Sequence, residues 1–207
     1  MAPTRPRTRR PARRPWATKG VENPLLGYLL AASPPVLARA SERPLACAEC
    51  GLAGGDGNDF YSLEPRGPTL CRICALCRTA AWEPQRVRLA LIPEWEQGLL
   101  NGVVTMLTVN LLRMRAGEPI PSGIDGVWQS HLLDTLQHRA TATALALPAA
   151  SSPARLRQTL RALPAAARAE VMTALAGLRL LPEPKDPELA RFFNRRRAAA
   201  DRTGFFQ

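Results

Sequence analysis

All five cysteines of the chain fall between Cys47 and Cys77, in the stretch CAECGLAGGDGNDFYSLEPRGPTLCRICALC. Cys47 and Cys50 form one Cys-x2-Cys pair, Cys71 and Cys74 form a second after 20 intervening residues, and Cys77 repeats the step. Thiolates in this pattern are metal ligands: two tight turns each present two sulfurs, and four sulfurs close a tetrahedral zinc shell at about 2.3 Å. Gly51 follows the first pair, where such a turn often needs the left-handed conformation that glycine adopts freely. Disulfides are the competing reading, but they require an oxidising compartment and leave one cysteine over. Buried free thiols are the other. The doubled spacing favours zinc over both.

The site reads as structural rather than catalytic. A catalytic zinc keeps one position open for water and usually takes histidine or carboxylate among its three protein ligands. The two histidines, His131 and His138, lie more than fifty residues beyond the last cysteine. They are seven apart on one helical face, a packing or surface arrangement. Spacing leaves open which four of the five sulfurs bind one zinc ion. Cys47, Cys50, Cys71 and Cys74 are the regular choice, with Cys77 as a buried thiol on a helix after the second pair. Asp56, Asn58 and Asp59 resemble part of a calcium loop but lack its full length and terminal glutamate, so they read as turn residues.

The elements that must position these residues follow from apolar patterning and from 20 prolines, about twice the usual share. Residues 25–32 suit a short strand or helical turn, and 36–43 a brief helix leading into the first knuckle. FYSL at 60–63 reads as a strand, and RVRLALI at 86–92 alternates as another. Pro93 suits the first position of a long central helix running to about Arg115, with Gly117 as its stop. Gly98 and Gly102 on that helix would let another element approach closely. A second helix is expected over 127–139 with Val127, Leu132, Leu133 and Leu136 inward, then a connector over 140–151. Ser152-Pro153 caps and opens a helix to Leu163, and Pro164 opens one with Val171, Met172 and Leu175 inward that Gly177 stops. LRLLPEPKDP reads as a linker, and a terminal helix carries Phe192 and Phe193, poised to dock on the body or on a partner.

The net charge of +11 sits at the two ends. Residues 1–19 hold six arginines and one lysine without an acid, and 191–202 hold five arginines against Asp201. Such ends suit nucleic acid, anionic lipid or an acidic partner, while the body between them carries no net charge. The most apolar run, 99–112, is short for a membrane span and contains two asparagines. The arginine-rich start followed by PLLGYLLAA mimics an export signal, but Glu22-Asn23-Pro24 interrupts it, and thiolate ligands favour a reducing cytosol. A cytoplasmic protein is expected. Its divisions would be a disordered basic tail (1–19), a zinc unit with its following core helix (20–116), a helical part (117–190) and a basic C-terminal helix or tail (191–207).

The order CAECG, TLCRICALC, ALIPEWEQGLLNGVVTMLTV and GLRLLPEP resembles the IcmJ family, also called DotN, of type IVB (Dot/Icm) secretion systems. The resemblance covers roughly residues 36–185. It implies an α+β fold: a small HNH-endonuclease-like (ββα, treble-clef-like) zinc-knuckle unit followed by a mostly helical C-terminal part. It implies Cys47, Cys50, Cys71 and Cys74 as ligands of one structural zinc. Nuclease chemistry does not carry over, because no histidine stands between Cys50 and Cys71 to act as general base. The implied role is a non-catalytic adaptor that binds the C-terminal tail of the coupling ATPase and other coupling-complex subunits, peripheral to the inner membrane, in secretion or conjugation. The alternative is a nucleic-acid-binding zinc module gripping phosphate through its arginine-rich tails.

Overall fold

The computed structural model describes residues 24–40, 46–52, 59–63, 67–82, 86–120, 125–183 and 187–203. The basic stretch 1–19, with Trp16, and the turn bearing Asp56 and Asn58 lie outside the described residues. The fold is mixed α+β, with seven α-helices and two small antiparallel sheets among the described residues.

The first sheet orders β1 (Leu37–Arg39), β2 (Phe60–Leu63) and β3 (Thr69–Cys71). Phe60 pairs with Cys71 and Ser62 with Thr69, so this hairpin delivers Cys71 directly into α2 (Arg72–Thr79). The helix expected near 36–43 is a strand over Leu37–Arg39. On the side of β2 away from β3, pairing Leu37 with Leu63 and Arg39 with Tyr61 satisfies backbone groups that a one-turn helix would leave unmade. Ahead of it, α1 (Pro24–Leu30) is a short helix that buries Leu25 and Leu29.

The second sheet joins β4 (Val87–Leu91) to β5 (Leu178–Pro182), with Leu89 opposite Leu180. The linker expected at LRLLP is therefore a strand. Its partner lies some ninety residues earlier in the chain, and only that pairing makes it one. This ribbon has two covered faces. Val87, Leu89, Leu178 and Leu180 join the core that holds the cysteines, while Ala90 and Leu181 join a second cluster with Ile92, Leu100, Val104, Leu136 and Ala140.

The central helix α3 (Gln97–Arg115) begins four residues later than Pro93. Ile92 donates its N–H to the Gly177 carbonyl and Trp95 to that of Ile92, which keeps Pro93 in a turn off the end of β4. At the far end Gly117 adopts φ 72° and donates to Met114 O, the expected left-handed stop. α4 (Gly126–Ala146) runs through the alanine- and threonine-rich segment expected to be a connector. Alanine is the best helix former, and Thr141 and Thr143 donate their hydroxyls back to the Gln137 and Arg139 carbonyls, so nothing stops the helix before Pro148. Val127, expected inward, is exposed, while Leu136 is buried.

A 3-10 turn (Pro148–Ser151) leads to α5 (Pro153–Ala162), whose cap Ser152 accepts from the Arg155 N–H, and then to α6 (Ala165–Ala174). Val171, Met172 and Leu175, expected inward, are half-buried against the main core. α7 (Pro187–Thr203) closes the chain by packing on α3. Phe192 and Phe193 are both fully buried in the core that contains the cysteines. They dock on the body.

Candidate metal centre

The first knuckle is a closed turn. Cys47 N–H donates to Leu52 O at 2.8 Å, and Gly51 N–H returns to Cys47 O at 3.0 Å with Gly51 at φ 71°. Ala48 N–H donates to Thr69 O, which fastens the turn to the start of β3. The second pair straddles the β3–α2 junction: Cys71 ends the strand as the extended N-cap, and Cys74 falls in the first helical turn. Unpaired N–H groups and the positive end of the helix dipole face that turn, an environment that favours thiolate.

These two turns bring the sulfurs of Cys47, Cys50, Cys71 and Cys74 within 4.8 Å of one another, and none of the five cysteines is in a disulfide. The Cys50 and Cys71 sulfurs are 3.7 Å apart. A tetrahedron of sulfurs at about 2.3 Å from a metal has edges of about 3.8 Å, so the donor set fits such an ion. Three of the four cysteines are buried and Cys50 is half-buried. The Cys71 N–H also donates to the Cys47 sulfur at 3.2 Å.

Four thiols this close share their protons unequally. Hydrogen bonds from Cys50, and then from Cys71 and Cys74, hold Cys47 well below the ordinary thiol value. The bonds they make with Cys47 and Cys50, together with burial, hold Cys71 and Cys74 well above it. One thiolate forms readily and the next ones are opposed. A divalent cation at the centre of such a set removes that opposition, because each further thiolate then meets positive charge.

Cys77 lies one turn further along α2, outside the group of four. Burial pushes its thiol up, and its sulfur donates to the Asn101 Oδ1 at 3.5 Å.

The bed beneath the knuckle is the N-terminal half of α3. A Cβ on Gly98 would sit 2.5 Å from the Glu49 carbonyl oxygen, and one on Gly102 would sit 3.5 Å from that of Cys50. The element that approaches these two glycines is therefore the first knuckle itself. Between them Asn101, fully buried, donates its Nδ2 to the Cys74 sulfur at 3.3 Å. Arg78, buried on α2, pairs with Glu49 of the knuckle and stacks 4.4 Å over the Tyr28 ring. Burial raises the Glu49 carboxyl above its usual range, and Arg78 opposes that rise.

Sequence reasoning did not reach Asn101, Gln97 or the Glu49–Arg78 pair. The available signal was an amide inside the apolar run 99–112, four residues after another amide.

The remaining candidates lie elsewhere. His131 and His138 are exposed on α4. Asp59, buried, accepts from Arg195 Nε at 2.9 Å and Nη2 at 2.6 Å, so its carboxylate is committed to α7. Among the described residues no helix is long and apolar enough to cross a membrane.

Fold and site together define a small α+β protein whose core is organised around four cysteines positioned to hold a metal ion. Known family models give no match to this chain, and a search of curated proteins gives none either.

Proposed function

We propose that the chain is a non-catalytic, zinc-stabilised adaptor of a type IVB secretion or conjugation coupling complex, which binds the C-terminal tail of the coupling ATPase at the cytoplasmic face of the inner membrane. The observation that carries the metal part is the set of four sulfurs within 4.8 Å, with the fifth cysteine outside it and bonded to Asn101. All-thiolate sets suit zinc and leave no position for a reacting water, so the ion would supply folding energy rather than chemistry.

The order of first knuckle, β2–β3 hairpin and α2 opening on the second pair supports an HNH-like, treble-clef-like unit. Among the described residues the histidines lie on α4 and Asp59 is committed to Arg195, an arrangement in keeping with a binding role. The partner rests on the IcmJ-like pattern of TLCRICALC and the apolar helix after it. With Phe192 and Phe193 inside the core, the adjacent exposed side chains Val127 and Trp128 at the start of α4 are the better ground for a partner's tail.

α7 bears on the nucleic-acid alternative. Arg195 is spent on Asp59, and Arg196, buried, lies 5.3 Å over the Phe60 ring and 5.4 Å from that of Phe192. Part of the C-terminal basic cluster thus serves the fold, which favours the adaptor.

The test is a tagged pull-down from the native host, washed in high salt and treated with nuclease, with the metal content measured on the same sample. A copurifying coupling ATPase and one zinc per chain are expected. Nucleic acid without the ATPase, released as salt rises, would replace the adaptor with the nucleic-acid reading.

A further inference from the structure

Two amides of α3, Gln97 and Asn101, stand between the cysteines and β5, and their hydrogen bonds admit one orientation. β5 fixes the first. The Leu180 backbone N–H can only donate, and it donates to Gln97 Oε1 at 2.8 Å; the Leu180 carbonyl can only accept, and it takes Gln97 Nε2 at 2.8 Å. Gln97 therefore has its nitrogen on the side of Asn101, where it donates to Oδ1 at 2.9 Å. That fixes the second amide. With its oxygen toward Gln97, Asn101 must turn its nitrogen to the Cys74 sulfur, 3.3 Å away.

The same orientation sorts the two cysteines of α2. Cys74 faces a donor, and a metal-bound thiolate accepts such a bond more strongly than a neutral thiol does. Cys77 donates its proton to the Asn101 oxygen at 3.5 Å, although the Gln97 Nε2 also lies 3.8 Å from its sulfur as a longer-range donor. The spacing CRICALC leaves open which of its sulfurs bind; the amides give Cys74 a close donor and Cys77 an acceptor.

We propose that Gln97 and Asn101 form an outer-sphere relay that selects Cys74 over Cys77 as a metal ligand and couples metal occupancy to the β4–β5 sheet. The proposal rests on the four-thiolate metal reading above. Asn101 acts through Cys74, so it is a positioning residue, and such outer partners are commonly worth 10–100-fold in metal affinity. Gln97 is anchored by the backbone of β5, so displacing β5 releases the orientation of both amides.

The test uses the full chain and cobalt(II), whose thiolate-to-metal absorption reports the number and character of the bound sulfurs. Affinity is read by competition with a chromophoric chelator. In Gln97→Glu the carboxylate still accepts from the Leu180 N–H but can no longer donate to the Leu180 carbonyl or to Asn101, which must then turn its nitrogen toward the new carboxylate and its oxygen toward Cys74. Asn101→Leu removes the bond at nearly constant volume. Both variants are expected to bind about 10–100-fold more weakly than wild type. In Asn101→Leu the thiolate-to-cobalt band is also expected to move to lower energy, because the sulfur lone pair loses a donor that stabilised it; a packing defect alone would leave the band in place. If Asn101→Leu fails to fold, Gln97→Glu decides by affinity. Variants that bind within about twofold of wild type with an unmoved band overturn the relay and leave the metal centre standing. A wild-type chain without any thiolate-to-cobalt band overturns the metal centre itself, and the relay with it.

Discussion

Cys77 and Cys74 are one helical turn apart and both buried, yet only Cys74 belongs to the group of four. Serine at Cys47, Cys50, Cys71 or Cys74 should therefore abolish tight zinc binding and unfold the chain or lower its Tm steeply. Alanine at Cys77 should keep one zinc per chain and cost about 1 kcal/mol, a typical single-substitution loss. Metal analysis and thermal denaturation of the five variants check this. A second prediction concerns Glu188, which receives hydrogen bonds from both Arg72 and Arg86. Burial pushes its carboxyl up, but the Arg86 bond and the two guanidinium charges outweigh that and hold it below the ordinary value. Its contribution to stability is then complete above the unfolded value of about 4.3 and is lost as pH falls through the lower folded value. The Tm difference between wild type and Glu188→Gln should be largest at neutral pH and should shrink as pH falls below the unfolded value. At this scale the sulfurs were legible because ligand spacing is local. The amides were not, since neither Gln97 nor Asn101 is near the cysteines in sequence.

Elements were legible where their signals were local and missed where a distant partner made them. The FYSL strand, the helix after the second pair and the Ser152 cap needed only their neighbours. β1 and β5 needed β2 and β4, and each was read as something else. α4 ran on because alanine and threonine do not end a helix unaided. Gly98 and Gly102 were legible as a place of close approach, but the sequence could not say that the visitor is the knuckle. The two positions make a matched test. A methyl group on Gly98 meets a backbone oxygen at 2.5 Å, and neither side can yield without moving the knuckle or the helix. A methyl group on Gly102 makes an ordinary contact at 3.5 Å and gains the helix preference of alanine, up to about 1 kcal/mol. Gly98→Ala should lower both Tm and zinc affinity, whereas Gly102→Ala should leave affinity unchanged and hold or raise Tm. Equal losses at both would mean that knuckle and helix are not packed as described.

Across the whole molecule, two buried clusters share one small sheet, and the metal centre belongs to only one of them. The first cluster gathers α1, the cysteines, Phe60, one face of the β4–β5 ribbon, α5 and the phenylalanines of α7; the second gathers the other face of the ribbon with α3 and α4. The first is dense in sulfur, and the elements that carry the sulfurs are short: their sheet has strands of three and four residues, and α2 has eight. Such pieces are marginal alone, so a bound metal should supply much of what keeps them folded. The second cluster has helices of 19 and 21 residues and needs the metal less directly. Chelation should then not unfold the chain evenly. In hydrogen exchange with and without a strong chelator, the amides of 47–52 and 69–79 should lose protection first, followed by the N-terminal turns of α3 that carry Gln97 and Asn101. The α4 helix and the β4 edge that Arg88 and Leu91 fasten to Gln137, Thr141 and Thr143 should hold longest. Simultaneous loss in both clusters would mean that the shared ribbon couples them into one cooperative unit, and the metal would then be a condition for the entire fold rather than for the half that binds it.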